Sequence, residues 1–397
     1  MKNVLKRFNS YQIAVFLSSS SMAVGLLREL IIVGLLGFTV KNDLLQIYLS
    51  VIYTISLMID AMRLSCLNLF SVLSLPRILL SASLISAPAA ILVGVMMYYS
   101  AGGMNVGILM VAVLGGYAHL IACLLITYKQ RHDVFLAAQV INVLPNAILI
   151  PGIVVCWAFS AGNMIHNIVI LTASVPVIQC IALLLLPSRS DEKLDPKGIS
   201  LIASLLVFAR HFSTTIGEQL FQIIARAAFF NDGPGYLSVF SVSVRAYSAM
   251  RFILIDSYIG SRLSDWKKEL KRGDLILYRI ISSNTLSLLP ALISLLIMVH
   301  THSSLIQYAA QVFMILIFGF YFSTLVRIIY FKMNHLGSNP SLIMTFALYE
   351  LVFALLAFII TKQMSHSVIA LLWIGYIAKP FSQLWMLRRR YQQILMT

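Results

Sequence analysis

Long apolar runs, each closed by a short polar break, recur along the whole sequence. A helix needs about 20 such residues to cross the roughly 30 Å hydrocarbon core of a bilayer. Setting runs against breaks predicts twelve spans: 11–37, 44–73, 78–99, 104–127, 134–158 and 164–186, then 199–230, 236–263, 275–299, 303–331, 340–361 and 366–387. The polar segment 187–198 divides them six and six. The expected fold is an all-α polytopic membrane protein of twelve transmembrane helices. An N-terminal six-helix lobe (1–186), a cytoplasmic linker (187–198) and a C-terminal six-helix lobe (199–397) are expected to enclose a central cationic cavity.

Polar residues inside the runs fall on stripes. At about 100° per residue, His211, Thr215, Glu218 and Gln222 share one face of the seventh span, and Ser238, Ser241, Arg245, Ser248 and Asp256 share an arc of the eighth. Gln46, Tyr53 and Asp60 recur every seven residues in the second span, as do Ser21 and Arg28 in the first. One-sided stripes on four spans imply a shared hydrated interior. The most telling positions are the adjacent Arg28 and Glu29. An ionised side chain at bilayer depth costs roughly 2.5–3.5 kcal/mol on insertion scales, so such residues face a bundle interior or a wet cavity.

Composition agrees with the pattern. The chain has 397 residues, 60% hydrophobic and 11% charged, with mean hydropathy +0.90. Soluble domains carry about 25% charged residues. The net charge of +15 would suit nucleic acid, but its distribution excludes that reading. Eighteen lysines and arginines fall in the loops and termini of one side, against Lys41 and Lys362 on the other. This positive-inside asymmetry predicts that both termini are cytoplasmic and supports the span count. The basic N-terminus (Lys2, Lys6, Arg7) precedes an apolar run too long for a leader and without an A-x-A-like site, so it reads as the first span.

Nine basic residues remain within spans: Arg28, Arg63, Arg210, Arg226, Arg245, Arg251, Arg279, Arg327 and Lys379. Five carboxylates accompany them: Glu29, Asp60, Glu218, Asp256 and Glu350. Arg226, Arg279 and Arg327 stand near span ends and are expected to snorkel. The bland reading of the others is helix-to-helix glue, but glue should balance in charge and this set does not. A cationic cavity suits an anionic substrate such as phosphate or pyrophosphate, which the planar arginine fork grips bidentately. The carboxylates hold the arginines apart in the empty state or carry a coupling ion.

Other candidate chemistry is thin. Cys66, Cys123, Cys156 and Cys180 lie in apolar runs without C-x-x-C spacing and read as packing residues. His300 and His302 lack further ligands, so no metal site is expected. No P-loop, H-E-x-x-H, G-x-S-x-G or G-x-G-x-x-G stands in a suitable setting, so no cofactor is expected and transport would run on gradients, membrane potential or downhill. Pro145, Pro151, Pro176 and Pro290 would kink their helices, in a gating role or as ordinary membrane prolines. The basic segment 266–272 reads as a cytoplasmic surface helix against anionic headgroups.

Residues 28–43 also resemble, without a gap, the first-span signature of the MurJ (MviN) lipid flippases. Arg28-Glu29, Gly34, Leu36-Gly37 and Asn42-Asp43 stand where that family has Arg-Asp, a small residue, an aromatic- or Leu-Gly, and Thr-Asp; Gly25 is similar to the approach to its arginine. A second, weaker match runs from Ser243-Val-Arg245-Ala to the Ser-Arg-Leu-Ser stretch ending at Ser264. The resemblance covers about the first seventy residues and parts of 236–264. MurJ and the Wzx polysaccharide-unit flippases form one superfamily with the MATE exporters. The resemblance implies two six-helix lobes, a cavity alternately open to either side, and turnover of an undecaprenyl-pyrophosphate-linked saccharide at the bacterial inner membrane. It carries function onto Arg28, Asp43 and Arg245, with Glu29 replacing an aspartate. The chain departs from MurJ at Met22, where that family has a further arginine. It departs again near Ser56, where the nearest basic residue is Arg63, and in ending after twelve spans. These departures favour a substrate of the Wzx kind over lipid II.

The expected substrate-binding set is therefore Arg28, Glu29, Asp43, Asp60, Arg63, Arg210, Glu218, Arg245 and Asp256. Expected partners are the lipid-linked saccharide, membrane lipids, and a glycan polymerase or glycosyltransferases. The competing reading is an ion-coupled exporter of MATE or major-facilitator type. Against the latter, the loop after the second span is Ser74-Leu-Pro-Arg77 and lacks Gly-x-x-x-Asp-Arg. A membrane polymerase or ligase would need a large outer loop, which the pattern does not provide, so no enzyme is expected.

Overall fold

The computed structural model describes residues 10–69, 75–101, 104–131, 135–159, 162–186, 200–251, 296, 300, 304–336, 340–363 and 368–396. They form long helices: α1 (Ser10–Leu36), α2 (Val40–Leu69), α3 (Leu75–Ala101), α4 (Val106–Arg131), α5 (Phe135–Phe159), α6 (Met164–Leu185), α7 (Leu201–Asp232), α8 (Tyr236–Arg251), α9 (Ser304–Leu336) and α10 (Pro340–Gln363). A last rod, α11 (residues 368–396), is α-helical over Val368–Leu372, π-helical over Trp373–Ala378 and α-helical again over Lys379–Met396. These helices overlay every expected span except the ninth (275–299), which apart from residue 296 lies outside the described residues, as do the second half of the eighth and the surface helix expected at 266–272. Among the described residues, six helices are long and apolar enough, by length and composition, to cross a membrane. The protein is a polytopic all-α membrane protein.

The burial pattern suits lipid rather than water as the solvent. Ile91, Leu92 and Val95 of α3, Ile178 and Leu184 of α6, and Leu348, Leu355 and Phe358 of α10 all face outward. Arg28, Glu29, Gln46, Ser50, Arg226 and Ser238 are buried. With no water in the hydrocarbon, apolar side chains gain nothing by hiding, while polar groups must find partners inside. Prolines follow the same logic: Pro88, Pro145, Pro151 and Pro176 sit within continuous helices α3, α5 and α6, where neighbouring helices accommodate the missing N–H.

α2 is the axis of the assembly. Leu45, Gln46, Ile47, Tyr48, Leu49, Ser50, Val51 and Ile52 are all buried, on every side of the helix. α2 packs against α3, α4 and α6 from the first half and α7 and α8 from the second. The halves also meet between α1 and α8 and between α3 and α7. Within the second half, α7 packs on α10, and α9 on α8 and α11.

Candidate functional site

The site begins at the turn between α1 and α2. Gly37 ends α1 in the left-handed region (φ 67°), a conformation that only a residue without Cβ adopts cheaply. Thr39 then caps α2, its hydroxyl donating to Leu36 O (3.0 Å) and accepting from the Asn42 N–H (3.4 Å). The Asn42 amide donates back to Gly37 O at 2.7 Å. The turn is thus closed on itself, and the next side chain, Asp43, is delivered into the interface with the second half.

Asp43 caps a helix that is not its own. Its Oδ2 accepts the Gly235 N–H at 2.6 Å, and its Oδ1 accepts the Ser238 N–H at 2.8 Å and the Ser238 hydroxyl at 2.5 Å. These donors are the orphaned first amides of α8, where the helix dipole also favours a negative charge. Gly235 (φ 86°) permits the approach: a Cβ there would stand 2.8 Å from Phe38 O. This clasp lies where the α1–α2 turn meets the α7–α8 turn. It ties the first half to the second.

Deeper along the same helices is a charged centre. The Arg28 guanidinium donates through Nη2 to Glu29 Oε1 (2.9 Å) and to the Tyr53 hydroxyl. Arg245 of α8 stacks over the same tyrosine ring, its Cζ 3.6 Å from the centroid, and its Nε lies 3.7 Å from Glu29 Oε1. The Gln46 amide donates to Glu29 Oε2 at 3.1 Å. From α7, Arg226 Nη1 donates to the Ser50 hydroxyl, which donates in turn to Gln46 O. His119 of α4 lies within electrostatic reach of Arg28 and Arg245, one turn beyond Gly116, where α4 rides on Ile52 and Ile55 of α2.

Among the described residues, three guanidinium groups therefore share this centre with one carboxylate, since Asp43 is spent on the helix cap. Among the same residues, Arg226 Nε and Arg245 Nη2 are buried without a hydrogen-bond partner, as are the hydroxyls of Thr54 and Ser241. A buried donor left unpaired costs about 1–3 kcal/mol, more when charged. What such a set accommodates is an anion with several acceptor oxygens.

The expected residues divide accordingly. Arg28 and Arg245 converge on Glu29 and Tyr53, and Asp43 lies on the same interface. Glu218 lies instead within electrostatic reach of Glu350, Tyr376 and Lys379, on the side of α7 that meets α10 and α11. Asp60, Arg63 and Arg210 lie on α2 and α7 with side chains outside the described set, and Asp256 lies outside the described residues. Arg226 differs from expectation. It does not snorkel from a span end but is 7% exposed and bound to α2. The four-residue spacing of Glu218, Gln222 and Arg226 marks α7 as polar but does not separate the face that meets α10 from the face that meets α2. Ser50 and His119 carried no sequence signal, because a serine and a histidine in apolar runs are ordinary.

No family model matches the sequence, and no curated protein matches it. Solved structures do. The lipid II flippase MurJ in an inward closed conformation superposes with a TM-score of 0.67 at 15% identity, over 95% of this chain and 87% of that one. A multidrug resistance MATE family transporter of the MOP superfamily, inward-facing, gives 0.57 at 11% identity over 98% and 95%. A MOP superfamily transporter from Pyrococcus furiosus, described as having a binding pocket of reverse polarity, gives 0.56 at 12% identity over 98% of both chains. These neighbours are transporters, not enzymes. The chain has the fold common to the MurJ flippase and the MATE transporters of the MOP superfamily.

Proposed function

We propose that the protein is a flippase that carries an undecaprenyl-pyrophosphate-linked saccharide across the bacterial inner membrane by alternating access. The carrying observation is the donor excess at the centre among the described residues: Arg28, Arg226 and Arg245 around Glu29, with nitrogens of Arg226 and Arg245 unpartnered there. A pyrophosphate presents many acceptor oxygens and two or more negative charges, the complement of that set. The sugar occupies the hydrated interior, and the prenyl chain stays in lipid. Both termini are cytoplasmic in this reading.

Asp43 closes the outer end while the centre loads from the cytoplasm. Release of its clasp on α8 opens the opposite side. Transport needs no covalent step. It is a shift between two states biased by what the centre binds. A glycan polymerase and glycosyltransferases are the enzymes that would consume and supply such a substrate.

A small-molecule exporter is the second reading, favoured by the coverage of 98% of this chain by MATE structures. It would require a cationic drug to enter a centre already carrying excess positive charge. The test is translocation of a fluorescent polyprenyl-pyrophosphate saccharide in proteoliposomes. Arg28→Ala, Arg226→Ala and Arg245→Ala are expected to abolish transport of folded protein. Wild-type rates in all three would overturn the proposal.

A further inference from the structure

A second polar cluster lies between α7, α10 and α11, beside the arginine centre, with Tyr376 within electrostatic reach of Arg226. Lys379 Nζ stands 2.8 Å from Glu350 Oε2, and the Gln383 amide donates to Glu350 Oε1 at 2.7 Å. Glu218 is within electrostatic reach of both members of that ion pair. One turn along α7, Gln222 donates to the Tyr376 hydroxyl at 3.0 Å. Gln222 is 8% exposed, and among the described residues its Oε1 has no donor.

The balance is the reverse of the first centre. There, buried donors lack acceptors; here, a buried acceptor lacks a donor. Two carboxylates and one free amide oxygen form an oxygen-rich environment suited to a hard monovalent cation. Among the described residues one cation is present, and it belongs to the chain. An ammonium carries three donors and a single charge.

Local geometry places Lys379 deliberately. It follows the π-helical turn Trp373–Ala378, and its own N–H bonds Ile374 O, five residues back. Such a turn inserts one residue into the helix and recurs at functional positions. The walls are close: a Cβ on Gly217 would meet the Glu350 backbone at 2.4 Å, and one on Gly375 would meet the Phe221 ring at 1.9 Å. The Phe221 ring also lies 5.8 Å from Lys379 Nζ.

We propose that this cluster is a monovalent-cation pocket that the chain fills with its own ammonium, Lys379, so that the native protein binds no dissolved cation there. The inference does not depend on what the arginine centre carries. Removing the ammonium while keeping its volume would open the pocket to sodium, potassium or ammonium from solution.

The experiment is thermal unfolding of the purified full chain in chloride salts of sodium, potassium, ammonium and choline at equal ionic strength, with radiolabelled sodium binding in parallel. Wild type is expected to melt at one temperature in all four salts and to bind no sodium saturably. Lys379→Met is expected to melt several degrees lower in choline and to recover saturably with at least one small cation, as binding linkage requires. The double variant Lys379→Met/Glu350→Gln should lose that cation dependence. A Lys379→Met protein indifferent to the cation would overturn the proposal, as would saturable sodium binding by wild type. If Lys379→Met folds in no salt while the double variant folds in all of them, the pocket excludes dissolved cations and the proposal falls.

Discussion

Removing the Asp43 carboxylate should release the clasp between α2 and the start of α8. Its two oxygens accept three hydrogen bonds, from Gly235 N–H, Ser238 N–H and the Ser238 hydroxyl. A hydrogen bond to a charged group contributes about 1.5–3 kcal/mol net. Bonds that share one carboxylate are not additive, so Asp43→Ala should cost the closed state roughly 3 kcal/mol, about a hundredfold in the closed-to-open ratio at 1.4 kcal/mol per decade. Asp43→Asn keeps one acceptor oxygen and loses the charge, and should shift the ratio by about tenfold. Spin labels at the exposed Val40 and Asn231, in a background free of native cysteines, report the separation of α2 from the end of α7. Wild type should give one short distance, Asp43→Ala a dominant longer one, and Asp43→Asn a mixture. Identical distance distributions in all three proteins would refute the clasp.

Three further outcomes follow from the arginine centre. Arg226→Met removes a buried charge with an unpartnered nitrogen, so the protein should unfold at a higher temperature, by about 1 kcal/mol or more of stability, while transport falls. Glu29→Gln leaves three guanidinium groups without their carboxylate; it should destabilise the empty protein by about 3–5 kcal/mol and tighten pyrophosphate binding in titration calorimetry. Tyr53→Phe removes the oxygen facing Arg28 but keeps the ring beneath Arg245, costing roughly 1.5 kcal/mol. Tyr53→Ala should cost a further 0.5–2 kcal/mol or so for the lost cation–π contact, as read by paired thermal melts.

Much of this architecture is written in periodicities that a membrane imposes. Apolar runs must be long and backbone bonds internal, so α3, α6 and α10 are legible from hydropathy alone. The stripe Gln46–Tyr53 and the pair Arg28-Glu29 were legible because polar groups in hydrocarbon must face one another. What depended on tertiary structure was partnership. The sequence places Asp43 in a family motif but not on the amides of α8, 192 residues away. It groups Glu218 with the arginines, whereas α7 carries two polar faces and Glu218 turns to Lys379. Arg226 stands near a span end by counting, yet the depth at which α7 crosses α2 decides that its guanidinium meets Ser50 rather than headgroups.

Pyrophosphate titration of the purified protein, followed by melting temperature against sulfate at equal ionic strength, reads the arginine centre most directly. Saturable stabilisation by pyrophosphate beyond that of sulfate, lost in both Arg226→Ala and Arg245→Ala, is the predicted result. Stabilisation no greater than that by sulfate, or stabilisation by an organic cation instead, would contradict an anion-receiving centre.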